Sequence, residues 1–320
     1  MRRGGGRRVP AVHLGILLLL LALQFVLPPF HHGMVARIMV LAAYATGYNL
    51  LLGYTGLMSL GHAMFFATGM YATGLAVYYL NVGAVGALLI GLVASVAQST
   101  VIGLVTLRTS GVAFLITTMM FAQAFYLSIL HFNRFTGGDQ GFILTGRLEP
   151  LSLGSLTLAV SAPAVKYNIA FATLAVCLLV NLWLVRSPAG RVLIAVRDNQ
   201  ERTRMLGYNT FKYKLLALIV SGTLSGAAGS VYALLFSYVG ATFASVLYSI
   251  YPILWTLLGG AGTTLGPLVG VSLMTYIVDI TSGFTSSYML VVGLALVLII
   301  MKAPAGVVGG IRERWLKWLP

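Results

Sequence analysis

An all-α, polytopic membrane protein of about ten transmembrane helices is the fold class this sequence predicts, and three observations predict it. The chain is 59% hydrophobic and only 8% charged, with a mean hydropathy of +0.94; a water-facing globular surface needs far more charge than this. Apolar runs of about 20 residues, the length that crosses a bilayer core, recur along it. A strand-based barrel would instead show alternating segments about half as long. Glycine is abundant, with 37 residues, as expected where membrane helices pack closely.

The predicted spans are 13–27, 34–52, 57–80, 82–107, 112–130, 168–185, 215–239, 242–258, 265–281 and 288–301. The first follows a basic stretch (Arg2, Arg3, Arg7, Arg8) and ends in PPFHHG, with no small-x-small cleavage site. It therefore reads as a retained span and not a signal peptide. The net charge of +14 would suggest nucleic acid in a soluble protein. Here the basic residues fall mostly at span ends, which points to the positive-inside bias and to no nucleic-acid partner. The one cysteine, Cys177, lies mid-run and excludes an intrachain disulfide framework or a Cys-rich metal site.

Sidedness follows from charge. The basic N-terminus (1–10) is expected in the cytoplasm, the membrane domain over 11–302, and a basic cytoplasmic tail over 303–320. The loop 131–167 then falls outside and the segment 186–214 inside. For Lys302, Arg312, Arg314 and Lys317 to be cytoplasmic as well, the apolar stretch 242–281 must break. The glycine-rich LLGGAGTTLGP (257–267) is the place for it, because four glycines and a proline are poor in a helix interior.

The segment 186–214 departs from everything around it. It holds nine charged residues of a chain that has 20 basic and six acidic. Ser187 is placed to cap a helix with Pro188 at its first position. Val192, Leu193 and Val196 form one apolar stripe. Asp198 and Glu201 form a capping-box-like start for a second short helix, which Gly207 stops. One reading is an amphipathic segment lying on membrane lipid. The other is a docking element for a cytoplasmic partner, favoured because its charges alternate in sign, whereas lipid-binding tracts are usually one-signed.

A second unusual stretch is GYTGLMSLGHAMFF (53–66). Gly53, Gly56 and Gly61 leave the backbone thin or unwound, and Ser59 and His62 are polar at membrane depth. Non-helical backbone survives there where it is buried in protein or lines a cavity. Either a substrate path or close helix packing around a hydrogen-bonded His62 satisfies that requirement. Gln123 and Tyr126 within a span, and Asp139 in the external TGGDQG turn, have the same two readings, Asp139 as a binding-protein contact or a plain turn residue.

These segments, together with RTSGVAFLITTMMFAQ (108–123), FTGGDQGF (135–142), SPAGRVLIAVRDNQERTRMLGYN (187–209) and GGAGTTLGP (259–267), resemble the permease subunits of branched-chain amino-acid ABC importers, in particular the LivM type. The resemblance runs in order from about residue 40 to 270. It implies a homologous second permease subunit, two cytoplasmic ATP-binding subunits, an external solute-binding protein and a bacterial inner-membrane location. It also implies that Arg191, Arg197, Asp198, Glu201, Arg202 and Gly207 sit in short helices that dock on the ATPase. Where the family usually has a small alanine this chain has Thr203, a departure that bears on how the second helix seats. Urea, short amides or another small solute would suit the same machinery.

No GxxxxGK[ST] loop is present, so ATP would be bound by partners and this chain needs no cofactor of its own. No HExxH, paired-carboxylate or nucleophile constellation suggests an enzyme. A self-sufficient carrier or channel is the rival class, and ionisable residues in mid-membrane would favour it. The candidates for that role are Asp279 and His62.

Overall fold

The computed structural model describes residues 8–147, 151–153, 156–158, 162–285 and 287–315. Arg2, Arg3, Arg7 and Lys317, which bear on the predicted sidedness, lie outside them. The helices are α1 (Arg8–Val26), α2 (Pro29–Asn49), α3 (His62–Leu80), α4 (Ala84–Thr106), α5 (Val112–His131), α6 (Asn133–Thr136), α7 (Pro163–Arg186), α8 (Pro188–Asp198), α9 (Gln200–Met205), α10 (Thr210–Phe236), α11 (Val246–Gly259), α12 (Gly266–Phe284), α13 (Tyr288–Lys302) and α14 (Gly306–Arg314). Eight of them are long and apolar enough to cross a membrane, and α11 and α13 are shorter apolar helices. The ten apolar helices follow the predicted spans in order.

The described residues also hold four short strands: β1 (Phe142–Ile143), β2 (Leu151–Leu153), β3 (Leu156–Leu158) and β4 (Tyr238–Val239). β2 and β3 form a hairpin. β1 pairs antiparallel with β4, Phe142 opposite Val239, and so ties the loop after α5 to the far end of α10. Tyr79, at the end of α3, donates to the carbonyls of Arg134 and Phe135 in the same region.

The opposite end of the bundle is assembled from different parts. His13 of α1 meets Thr264 Oγ1 at 2.6 Å. Arg197 of α8 donates to Gly53 O, and Arg312 of α14 donates to Gly262 O. Contacts alone therefore gather the start of α1, the end of α2, α8, the 260–265 turn and α14 at one end. α11 must run from the β4 end to this one. The break lies within the predicted 257–267: α11 stops at Gly259 and α12 starts at Gly266, with Gly260 at φ +118 and Gly262 at φ +73, values that suit glycine.

α2 is the central span, 89% of its apolar window being buried. Beside it α10, through its run SGTLSGAAGS, packs on α3 and α4. A Cβ on Gly226 would meet the Ser95 side chain, and one on Gly69 would meet Gly226 O. Helices in lipid gain no hydrophobic drive from touching each other, so this close approach of small residues supplies the packing.

Candidate functional site

Two regions carry candidate function, and α2 joins them. At the α8 end, α2 does not stop at Asn49 but continues as a π-turn, Leu50–Tyr54. The chain then runs without regular secondary structure to Gly61, with Gly56 at φ +73, before α3 begins at His62. Ser59 Oγ accepts from Gly61 N at 3.2 Å. α3 has no cap from its own chain neighbours; Ser249 of α11, 186 positions away, accepts from Ala63 N at 2.9 Å.

His62 is fully buried. Its Nε2 lies 3.0 Å from Ser221 Oγ, and Ser221 donates its hydroxyl proton to Gly47 O at 2.5 Å. With that proton committed, the hydroxyl accepts from Nε2–H, which leaves Nδ1 as a bare acceptor. Among the described residues Nδ1 has no partner, and neither does Tyr44 Oη. Tyr44 stacks near His62 at 6.2 Å between centroids and Tyr48 meets it edge-on at 5.0 Å. The sequence candidates Gly61, Ser59 and His62 are thus brought together at the head of α3.

Gly53 and Gly56 lie elsewhere, under α8. A Cβ on Gly56 would meet Arg197 Cγ at 2.8 Å, and Gly53 O accepts from Arg197 Nη1 at 2.5 Å. Gln123 faces outward on α5, and no hydrogen bond or ring contact joins it to His62 in the described residues.

α8 and α9 are the predicted pair of short helices. Ser187 Oγ accepts from Gly190 N at 3.2 Å with Pro188 at the first position. Val192, Leu193 and Val196 are buried. Gly207 ends the second helix at φ +88. The start of α9 differs from expectation: its cap is Asn199, whose Oδ1 accepts from Arg202 N at 2.8 Å. Asp198 is instead the last residue of α8, paired at 3.4 Å with Arg197. Asn199 is extended, at φ −162, a non-helical conformation from which a capping side chain reaches the first-turn N–H groups. Thr203 is buried and spends its hydroxyl on Asn199 O at 2.9 Å, so the bulkier residue is absorbed within α9. Arg191, Arg197, Asp198, Glu201 and Arg202 are exposed, as are Met205 and Leu206 beside them.

A clasp locks this end. Asn49 of α2 donates to Thr263 O at 2.8 Å and accepts from Gly262 N at 2.9 Å. Gly262 O in turn accepts from Arg312 Nη1 at 3.0 Å. A cleft of about 740 Å³ opens beside it, lined by Arg186, Arg191, Arg197 and Arg312 together with Tyr54 and Glu313.

The sequence reading missed Asn49, Ser221, Ser249 and Asn199, whose partners are described above, and it also missed Arg37. Arg37 lies eight residues into α2 and is exposed, in a helix otherwise almost wholly buried. Besides His62 and Asp279, it is an ionisable residue inside a span. At a span centre an arginine costs about 2.5–3.5 kcal/mol on insertion scales. The signal that finds it is the lone guanidinium within HHGMVARIMVLAAYA.

A family model described as "Branched-chain amino acid transport system / permease component" matches residues 32–301. The chain belongs to this family. The match takes in α2 through α13 and leaves α1 and α14 outside. Similar proteins include the high-affinity branched-chain amino acid transport system permease protein LivM of Salmonella typhimurium, 26% identical over 84% of this chain and 67% of that protein. LivM of Escherichia coli is 25% identical over the same shares. A shorter likeness, 31% identity over 32% of this chain and 33% of the relative, is to the autoinducer 2 import system permease protein LsrC of Photorhabdus laumondii. No solved structure matches. The family accounts for the polytopic helical fold and makes the chain a membrane permease component.

Proposed function

We propose that this chain is the membrane-spanning subunit of an ABC importer for branched-chain amino acids in a bacterial inner membrane. It would form half of the translocation path beside a second permease subunit, take solute from an external binding protein, and perform no covalent chemistry. ATP would be bound by two cytoplasmic subunits docked on α8 and α9. The observation that carries this reading is the construction of α8–α9: an apolar face buried on the bundle, an outer face of alternating charge, and Arg197 reaching from it to the backbone of α2. Movement imposed on α8 from outside is thereby handed to the central span. The relatives named LivM, matched over 84% of this chain, support the solute class.

The test is uptake of labelled leucine by cells lacking their own leucine transport, expressing this chain with the binding protein, second permease and ATPases encoded beside it. Leucine accumulation that requires all partners is expected. For docking, Glu201→Arg and Arg191→Glu, both on the exposed face, should lower ATPase co-purification, since close interfacial charge pairs are worth about 1.5–7 kcal/mol. A segment resting on lipid would instead tolerate Glu201→Arg, and full ATPase recovery in both variants would remove the docking assignment.

A further inference from the structure

Arg37 has a setting that neither helix packing nor the clasp explains. Residues 37, 41, 44 and 48 fall on one face of α2, since they recur at helical spacing. That face carries Arg37, Leu41, Tyr44 and Tyr48, and it leads down to His62. Eight residues from the start of α2 correspond to about 12 Å of rise. Arg37 therefore lies toward the end of the bundle that carries β1 and β4.

Its neighbours come from two other helices. The guanidinium is within electrostatic range of the hydroxyls of Tyr232 of α10 and Tyr248 of α11. Tyr248 stacks on Tyr44 at 5.9 Å with ring planes 8° apart, and Tyr251 and Trp255 extend the aromatic wall along α11. Pro252 lies inside α11. Having no N–H, it leaves the Tyr248 carbonyl without its helical partner. A positive guanidinium, a spare carbonyl and a wall of aromatic rings thus belong to the stretch where α2 meets α11.

Among the described residues no anion meets Arg37, and Arg197–Asp198 is the one ion pair. A guanidinium within a span pairs with acids, with backbone carbonyls or with something in a water-filled path, and its planar fork matches a carboxylate with two parallel bonds.

We propose that Arg37 binds the carboxylate of an amino-acid substrate entering the path between α2, α10 and α11. This rests on the reading of the chain as an amino-acid permease. The Tyr248 carbonyl would accept from the substrate ammonium, and the rings of Tyr44, Tyr248 and Trp255 would face its apolar side chain. Two other sources of negative charge fit the guanidinium, an acidic side chain of the second permease subunit and a lipid phosphate, and the experiment separates them.

The complete transporter is purified in nanodiscs as wild type, Arg37→Gln and Arg37→Lys. Binding of labelled leucine without the binding protein is challenged with unlabelled leucine or leucinamide, and leucine uptake is measured in cells. Leucine should displace the label from the wild type and leucinamide, which has no carboxylate, should not. Arg37→Gln should lose at least ten-fold in uptake and in binding, and Arg37→Lys should retain an intermediate level, with second subunit and co-purified phospholipid unchanged. Equal displacement by leucinamide, or uptake by Arg37→Gln within two-fold of wild type, would overturn the assignment. So would loss of the second subunit or of bound anionic lipid in Arg37→Gln, each naming the rival anion. If the wild-type complex neither binds nor imports leucine, the amino-acid reading itself falls and takes this proposal with it.

Discussion

Single side chains at the α8 end carry more than their surface charge suggests. Arg197 looks from sequence like one more basic residue of an exposed helix, yet its Nη1 holds Gly53 O. A hydrogen bond from a charged group is worth about 1.5–3 kcal/mol, whereas its exposed pairing with Asp198 adds little. Arg197→Ala should therefore loosen α8 from α2 and raise ATP hydrolysis that is not matched by uptake, measured as phosphate released per leucine imported. An unchanged ratio would show that the contact transmits nothing. Asn199→Ala should cost about 0.5–2 kcal/mol through loss of the α9 cap. Asp198→Asn should leave that cap intact. Comparing the melting temperatures of the purified complexes checks both, and equal losses would return the cap to Asp198. Ser187, Pro188 and Gly207 were legible in the sequence because their roles are local. The choice between Asp198 and Asn199 was not, because it depends on which residue turns extended. Arg37 was overlooked because the apolar run around it dominates any window average.

At the scale of helices, the ten apolar runs and the glycine break at 257–267 were readable because the bilayer imposes length and apolarity on each span. What joins them was not. The cap of α3 by Ser249, the clasp through Asn49 and the β1–β4 pair all link residues at least 90 positions apart, and no local pattern encodes such pairings. The glycines of 53–66 illustrate the limit. One cluster in sequence, they divide in space between a seat for α8 and the head of α3. Gly56→Leu would strike Arg197 and so perturbs α8, and it is no clean probe of a solute path. The small-residue face of α10 gives a sharper test. Gly226→Leu should force α10 away from α4, with overpacking costs of about 1–3 kcal/mol. The expected outcome is a lower yield of monodisperse complex by size-exclusion chromatography, with Ala227→Leu as a control on the same helix. A normal profile for Gly226→Leu would mean that this contact is not needed.

For the molecule as a whole, sidedness is the property on which the proposed docking and the proposed solute entry both rest. Cys177 is buried, so a thiol introduced at the surface is read without background. Gln140→Cys, in the loop tied to β4, should react with an impermeant thiol reagent on intact cells. Met205→Cys, on α9, should react only after the membrane is opened. The reverse pattern would invert the assignment of both ends.

The seating of α2 has a mechanical consequence. Toward its Gly53 end the helix bears on α10, where a Cβ on Gly47 would meet Ser225 Oγ at 2.7 Å and Ser221 O at 2.8 Å. That tight bearing lies six residues from Gly53, which α8 grips, and ten from Arg37, or roughly 9 Å and 15 Å along the axis. A rod held this way is a lever with unequal arms. Pushing its short arm by about 1 Å swings Arg37 by about 1.7 Å in the opposite direction, on the arm ratio those rises give. Paired spin labels at the two ends of α2, compared with and without nucleotide, would test it by showing the larger displacement at the Arg37 end. On the proposed function, a fulcrum so placed would convert a small stroke at the α8 face into a larger, reversed stroke at the Arg37 end.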